Sequence, residues 1–366
     1  MNKTNTPTPK EAGAKATPSV TKSQCKDSEN QRPTQSNEIK SLMALVNNPT
    51  EPEIDKSQIG VLCIKEANEW CEEAAQRPDP KQLWMSLWYE GECACLFADS
   101  NLGKSIYAVQ IANEIAKNEP VLYCDFELSD KAFQLRYSDD ATGALYKFHA
   151  NFKRAEIDPE AMGESVMGAD YEDIVVQDIE SAAVAHSVKV IIIDNLSWIC
   201  NASEKGDAAG RLMVNLLRLK KMHGWSLLII AHTPKRALTS PIDQNTLAGS
   251  KKLINFFDSA FAIGRSAKDE ALRYIKQIKC RYSSFEYGAD NVIVADISKE
   301  NGFLKFNHIG YAKEREHLKE VSDKDESEID SRVMELHHQG KKQRDISREI
   351  GVSLGKVNKI IKSQNK

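Results

Sequence analysis

The sequence holds no run of about 18 apolar residues, so a membrane-spanning helix is excluded on length. Its apolar stretches, such as Val190–Ile193 and Leu227–Ala231, are far shorter. The opening MNKTNTPTPKEAG lacks the apolar core of a secretory signal. The eight cysteines, at 25, 63, 71, 93, 95, 124, 200 and 280, form no C-x-x-C pair. They read as reduced thiols of a cytoplasmic protein rather than as a metal or disulfide framework. No Phe, Trp or Tyr precedes Trp70, and residues 1–58 are rich in Thr, Pro, Lys, Ser and Asn. Such a segment buries too little apolar surface to offset its ordering entropy, which predicts a disordered arm with at most a short helix at Ile39–Val46. Nor is there an excess of one charge: 49 Lys and Arg against 53 Asp and Glu leave a net charge of −4. Any nucleic-acid surface must therefore be local.

What remains is enough chain, 366 residues in all, for one large or two medium domains. From ECACLFA (92–98) onward, apolar runs alternate with stretches of helical spacing. The runs are VLYCDFE (121–127), VKVIIIDN (188–195) and WSLLIIAH (225–232). Between them, helices are predicted over Lys104–Lys117, from Ser129 to about Tyr137, over Tyr171–His186 and over about Ala208–Met222. An upstream helix is predicted over Ile64–Ala75, whereas 138–168 carries no clear pattern. Continuous apolar strands separated by helices predict an α/β fold with a parallel sheet covered on both faces. Ser259–Ile263, Ala271–Cys280, Asn291–Ile297 and Gly302–His308 follow with short connections and predict an antiparallel extension.

Between the first strand and helix stands ADSNLGKS. It ends as a phosphate-binding loop of the form G-x-x-x-x-G-K-[ST] ends, but Ala98 stands where the first glycine belongs. A turn from a buried strand into a helix aims successive backbone N–H groups at phosphate oxygens. The flanks supply such a context, so Ala98, Asp99, Ser100, Asn101, Leu102, Gly103, Lys104, Ser105 and Ile106 are read as the ATP cradle. Lys104 supplies a mobile positive charge, and the Ser105 hydroxyl is a ligand for Mg2+. Asn101 tolerates a left-handed backbone, and Ala98 is tolerated if its φ is negative. Asp99 is repulsive to phosphate unless its carboxylate points away. Asp194 closes VIIID at the carboxyl edge of the expected sheet, where it can hold the Mg2+ directly or through water. By position alone, Glu127 is either a solvated carboxylate at a helix start or the group that orients and deprotonates the attacking water. His232 is likewise either a γ-phosphate sensor or a structural histidine.

Together these residues resemble the RecA-like ATPases, specifically the RepA- and DnaB-type replicative helicases, over roughly residues 85–310. ADSNLGKS resembles their Walker A motif and IIIDN their Walker B, while YCDFELSDKAFQLRY resembles the segment that carries their catalytic glutamate. The resemblance implies a RecA-like core with Glu127 as catalytic base and His232 as the polar residue coupling nucleotide state to DNA loops. Gly249, Ser250 and Asp258 resemble the stretch after the family's DNA-contacting loop. Lys279 and Arg281, in KCR, resemble the pair that reaches a neighbouring subunit's nucleotide, which implies a hexamer. Lys235 and Arg236, after His232, become candidates for gripping single-stranded DNA. With no recognisable primase-binding domain ahead of the core, the similarity is nearer to the short RepA-like ATPases of plasmids and mobile elements.

Residues 313–330 carry eight Asp and Glu against four Lys and Arg, and residues 331–366 invert this with nine Lys and Arg against three Asp and Glu. A charged, solvated linker or helix over 311–330, marking a domain boundary, and a small basic domain over 331–366 are expected. Val333 and Leu336 mark a first helix closed by Gly340. Ile346 and Ile350 mark a second, Gly351 a turn, and Ser353 the cap of a third that turns Val357, Ile360 and Ile361 inward. This resembles a resolvase-type helix-turn-helix, whose last helix would offer Lys356, Asn358, Lys359 and Lys362 to duplex DNA. The expected organisation is thus an arm (1–58), an ATPase domain (59–310), the linker and the helix-turn-helix. The expected function is an ATP-driven DNA motor, with an ATP-switched DNA-binding regulator or helicase loader as the alternative.

Overall fold

The computed structural model describes residues 57–161, 171–199, 207–233, 237–247, 253–320, 323–350, 352 and 354–364. The helix expected at Ile39–Val46 lies outside these residues, as do Lys235, Arg236, Gly249, Ser250, Gly351 and Ser353. Two compact units emerge, Met1–Arg77 and Pro78–Lys366. In the first, β1 (Gln58–Ile59) pairs antiparallel with β2 (Leu62–Cys63), and helix α1 (Ala67–Ala75) follows. Lys65 pairs with Glu69 at 3.8 Å and with Glu73, and its ammonium lies 5.0 Å over the Trp70 ring.

The second unit opens with a small antiparallel pair, β3 (Gln82–Trp84) and β4 (Trp88–Tyr89). The predicted alternation then follows as β5 (Cys93–Ala98), α2 (Lys104–Ile115), β6 (Val121–Asp125), α3 (Asp130–Arg136), β7 (Phe152–Ala155), α4 (Tyr171–Ala185), β8 (Val190–Asp194), α5 (Leu196–Ile199), α6 (Asp207–His223) and β9 (Ser226–His232). Next come β10 (Ser259–Arg265), β11 (Leu272–Lys279), β12 (Val292–Glu300) and β13 (Phe303–Ala312). One nine-stranded sheet runs in the order β13-β12-β11-β10-β5-β9-β8-β6-β7. From β10 to β7 neighbouring strands are parallel, and β10 through β13 pair antiparallel.

Every residue of β5 is buried, and the two-residue repeat of a strand divides them between opposite faces. Cys93, Cys95 and Phe97 enter the core covered by α4 and α6. Ala94, Leu96 and Ala98 enter the core covered by α2, against Tyr107, Ala108 and Ile111. Coverage on both faces is why the strands read as unbroken apolar runs. Cys93 and Cys95 are free buried thiols, as is Cys124. Burial pushes the Cys93 and Cys124 thiols up to about 12. Strand β7, FKRA, escapes the sequence pattern because it is a short edge strand whose residues are only partly covered. Among the described residues, no helix is long and apolar enough to cross a membrane.

Only the first part of the stretch expected as a solvated linker or helix, 311–317, departs from that expectation. β13 runs to Ala312, and the turn Glu314–His317 buries both Glu314 and His317 to 2 % exposure. Glu314 accepts a hydrogen bond from Ile242 N at 2.8 Å and pairs with Lys276 at 2.6 Å, while the Ser266 hydroxyl lies 2.8 Å from His317 Nδ1. A charge-rich stretch can go inside when its charges are paired. The first C-terminal helix, α7 (Asp323–His338), starts ahead of Ser331. With α8 (Gln343–Ile350) and α9 (Leu354–Gln364) it encloses Val333, Leu336, Ile346, Val357, Ile360 and Ile361, the residues expected inward.

Candidate active site

Parallel strands end together, so the carboxyl ends of β5, β6, β8 and β9 bring Ala98, Asp125, Asp194 and His232 to one edge of the sheet. Asp125 is in register with Asp194, and Ala98 with His232. The loop 99–103 leaves this edge, and Gly103 starts α2 at φ 91°. A Cβ on Gly103 would stand 2.8 Å from Ile297 Cδ1 and 3.0 Å from the Phe306 ring, so glycine is required there twice over. Asn101 takes the other left-handed position, φ 64°. Ala98 remains part of the strand, its carbonyl accepting from Thr233 N at 3.2 Å, and its methyl group meets no backbone strain. The Asp99 carboxylate is held by the Thr233 hydroxyl. Ser100 and Asn101 are exposed, while Leu102 is buried and Ile106 half-buried in the core beneath α2.

Lys104 is 6 % exposed, and its ammonium donates to the carbonyls of Ala98 at 3.0 Å and Asp99 at 3.1 Å. Burial holds its pKa below the ordinary lysine value, opposed by Asp194, Glu127 and Asp99. Asp194 is 1 % exposed; its Oδ2 accepts from the Tyr123 hydroxyl at 2.6 Å, and its Oδ1 is buried without a hydrogen-bond partner. Burial raises the Asp194 carboxyl to about 6, with Ser105 and Tyr123 lowering it and Asp125 and Glu127 raising it.

Glu127 stands exposed in the turn after β6 and accepts from Asn195 Nδ2 at 2.7 Å. His232 faces the same Asn195 nitrogen through Nε2 at 3.1 Å. Burial and Lys104 lower the His232 pKa, with Glu127 opposing them. The turn that carries Glu127 is built by Asp125. Its Oδ1 accepts from the backbone of Glu127 at 3.3 Å and Leu128 at 3.0 Å, and its Oδ2 from Arg154 Nε at 2.9 Å. Arg154 also donates to Leu128 O at 2.7 Å and lies 4.6 Å over the Phe133 ring. Asp125, Arg154, Asn195 and Thr233 thus belong to the site although the sequence reading omits them. Asp125 had a visible signal, a carboxylate closing an apolar run as Asp194 does; Arg154 and Thr233 had none.

Lys279 and Arg281 stand elsewhere. β11 runs away from the loop edge and ends with Lys279 beside Ala260. The Lys279 ammonium donates to Ile254 O at 2.9 Å and Phe257 O at 2.6 Å. Arg281 pairs at 3.2 Å with Asp258, which bonds through Oδ2 to the N–H of Cys93, the first residue of β5. Both cations therefore sit at the sheet edge opposite this chain's own phosphate loop. In the C-terminal helices, Lys359 and Lys362 are exposed, and Lys356 and Asn358 half-buried.

The donor set fits Mg2+: an orphaned buried carboxylate oxygen on Asp194 with the Ser105 hydroxyl beside it. Magnesium takes one or two protein oxygens and fills its octahedron with phosphate and water. Among the described residues, no group of three or more His, Cys, Asp or Glu side chains could hold a metal alone.

Phosphate loop, buried lysine and strand-end carboxylates on a parallel sheet have the layout of a P-loop nucleotide-binding core. Residues 64–237, just under half of the chain, match the family model described as an AAA domain. Among solved structures, a KaiC-like protein from the hyperthermophilic archaeon Pyrococcus horikoshii is similar at 16% identity and a TM-score of 0.43, covering 60% of this chain and 91% of that one. No curated protein matches the sequence.

Proposed function

We propose that this chain is an ATP-driven motor acting on DNA, of the RepA- and DnaB-type group and working as a hexamer in the replication or mobilisation of a mobile element. The observation that supports it best is the convergence of Lys104, Ser105, Asp194, Glu127 and His232 at one sheet edge. The loop amides from Ser100 to Ser105 bind the phosphates, and Lys104 leaves the carbonyls of Ala98 and Asp99 to meet them. Ser105 and Asp194 hold Mg2+, which supplies positive charge to the phosphate oxygens. Glu127 takes the proton of the attacking water and fixes its line of approach. Arg281 and Lys279, remote from their own loop, serve a neighbouring subunit's nucleotide. Lys235 and Arg236 grip single-stranded DNA, and Lys356, Asn358, Lys359 and Lys362 meet duplex DNA.

The test is steady-state ATP hydrolysis with and without single-stranded DNA, in the wild type and in Glu127→Gln. Stimulation by DNA that disappears in the variant supports the motor. A self-contained basic helical core favours one rival, an ATP-switched regulator or helicase loader. Slow turnover indifferent to single strands, with tight duplex binding through residues 331–366, would establish the rival instead.

A further inference from the structure

Asn195 follows β8 directly and is 4 % exposed. Its carboxamide has three polar neighbours: Oδ1 accepts from Trp198 N at 3.1 Å, and Nδ2 lies 2.7 Å from Glu127 Oε2 and 3.1 Å from His232 Nε2. The Trp198 N–H can only donate, so it fixes which end of the amide is oxygen. The amide nitrogen can only donate in turn, and its two hydrogens match its two remaining neighbours. His232 Nε2 is therefore an acceptor, and the neutral ring carries its proton on Nδ1. Three segments that carry the site, the turn after β6, the turn after β8 and the end of β9, meet on this one side chain. Glu127 otherwise stands exposed on a turn, where an unrestrained carboxylate samples several rotamers.

We infer that Asn195 is the positioning residue of this site: by donating to Glu127 it holds the carboxylate where a water attacking the terminal phosphate must pass. The inference rests on the reading of Glu127 as the group that activates that water. Positioning of this kind acts on the chemical step rather than on nucleotide affinity. A role confined to folding the turn would instead depend on the bond from Trp198 N, which an aspartate preserves. Asn195→Asp keeps that acceptor and the side-chain shape but cannot donate to Glu127.

The experiment compares single-turnover ATP hydrolysis and fluorescent-nucleotide binding for full-length wild type, Asn195→Asp, Glu127→Gln and the double variant. Asn195→Asp is expected to slow hydrolysis about tenfold or more, with nucleotide affinity within about threefold of wild type. In the Glu127→Gln background the same substitution is expected to change the rate less than about twofold, since the group it positions is gone. Wild-type hydrolysis by Asn195→Asp overturns the inference, as does an equal loss in both backgrounds or a loss carried by affinity. Should the aspartate variant not fold, Asn195→Ala, which adds no carboxylate, is judged by the same outcomes. If Glu127→Gln itself hydrolyses ATP at the wild-type rate, the reading of Glu127 falls and the inference with it. A slow Glu127→Gln beside an unimpaired Asn195→Asp removes the inference alone.

Discussion

Replacing Gly103 by alanine tests the phosphate loop through its packing. The residue sits at φ 91°, where a side chain costs about 1–2 kcal/mol against the backbone. Its new Cβ would also stand 2.8 Å from Ile297 Cδ1 and 3.0 Å from the Phe306 ring. The Phe306 ring has little free space to retreat into. Phe306 is 1 % exposed, and its backbone is clamped on both sides by Gln110, at 3.0 Å and 2.8 Å. Overpacking of this kind costs about 1–3 kcal/mol, so Gly103→Ala should destabilise the protein by about 2–5 kcal/mol in urea unfolding. The two contributions can be separated. Ile297→Val removes the very atom nearest the new methyl group and alone should cost about 0.5–1.5 kcal/mol. Combined with Gly103→Ala, it should give a total at least about 0.5 kcal/mol smaller than the sum of the single losses. Strict additivity, or a Gly103→Ala protein within about 0.5 kcal/mol of wild type, would refute the packing of β12 and β13 against the loop.

Three further outcomes are expected. Thr233→Val releases the Asp99 carboxylate and should weaken nucleotide binding roughly tenfold in a fluorescent titration, with Asp99→Asn restoring it; a double variant no tighter than the single one rules this out. Arg154→Ala strands Asp125, whose side chain is 0% exposed, and should cost about 3–5 kcal/mol in urea unfolding, with Asp125→Asn recovering part of the loss. In protein free of nucleotide and metal, burial lifts Asp194 from 3.8 to about 6, so the stability its protonated form contributes is complete below 3.8 and lost as pH rises through 6. Asp194→Asn should therefore be more stable than wild type by about 3 kcal/mol at pH 7.5, the gain shrinking to about half near pH 5; a variant less stable at pH 7.5 contradicts this.

The parts of the site that were legible in the sequence are those whose chemistry is written locally. VIIID and CACLFA announce buried parallel strands because both faces are covered, and GKS announces a helix start that needs a close backbone approach. The run VLYCDFE reads as a strand through Glu127, two residues too far: the strand stops at Asp125, whose carboxylate turns back to bond the next backbone amides. The residues that support the site were not legible, since their meaning depends on partners far along the chain. Arg154 reads as one charge in a polar edge strand until Asp125, 29 residues away, is beside it. Glu314 reads as part of a solvated acidic run until Lys276 and the Ile242 backbone enclose it.

The same logic disposes of the missing first glycine. A glycine opens such a loop where the backbone must leave the strand with a positive φ or pass close to another atom. Here β5 continues through residue 98, in register with His232 on one side and Ile263 on the other. Its carbonyl is already taken by Thr233 N, and its methyl group packs into the core beneath α2. The left-handed turns fall later, at Asn101 and Gly103. Ala98 is thus the last residue of the strand rather than the first of the loop. The loop starts with Asp99 next to the exit of β9, within reach of the Thr233 hydroxyl that holds its charge. Ala98 and Asp99 are therefore one linked departure from the motif, and its third member, Thr233, lies 134 residues away from Asp99.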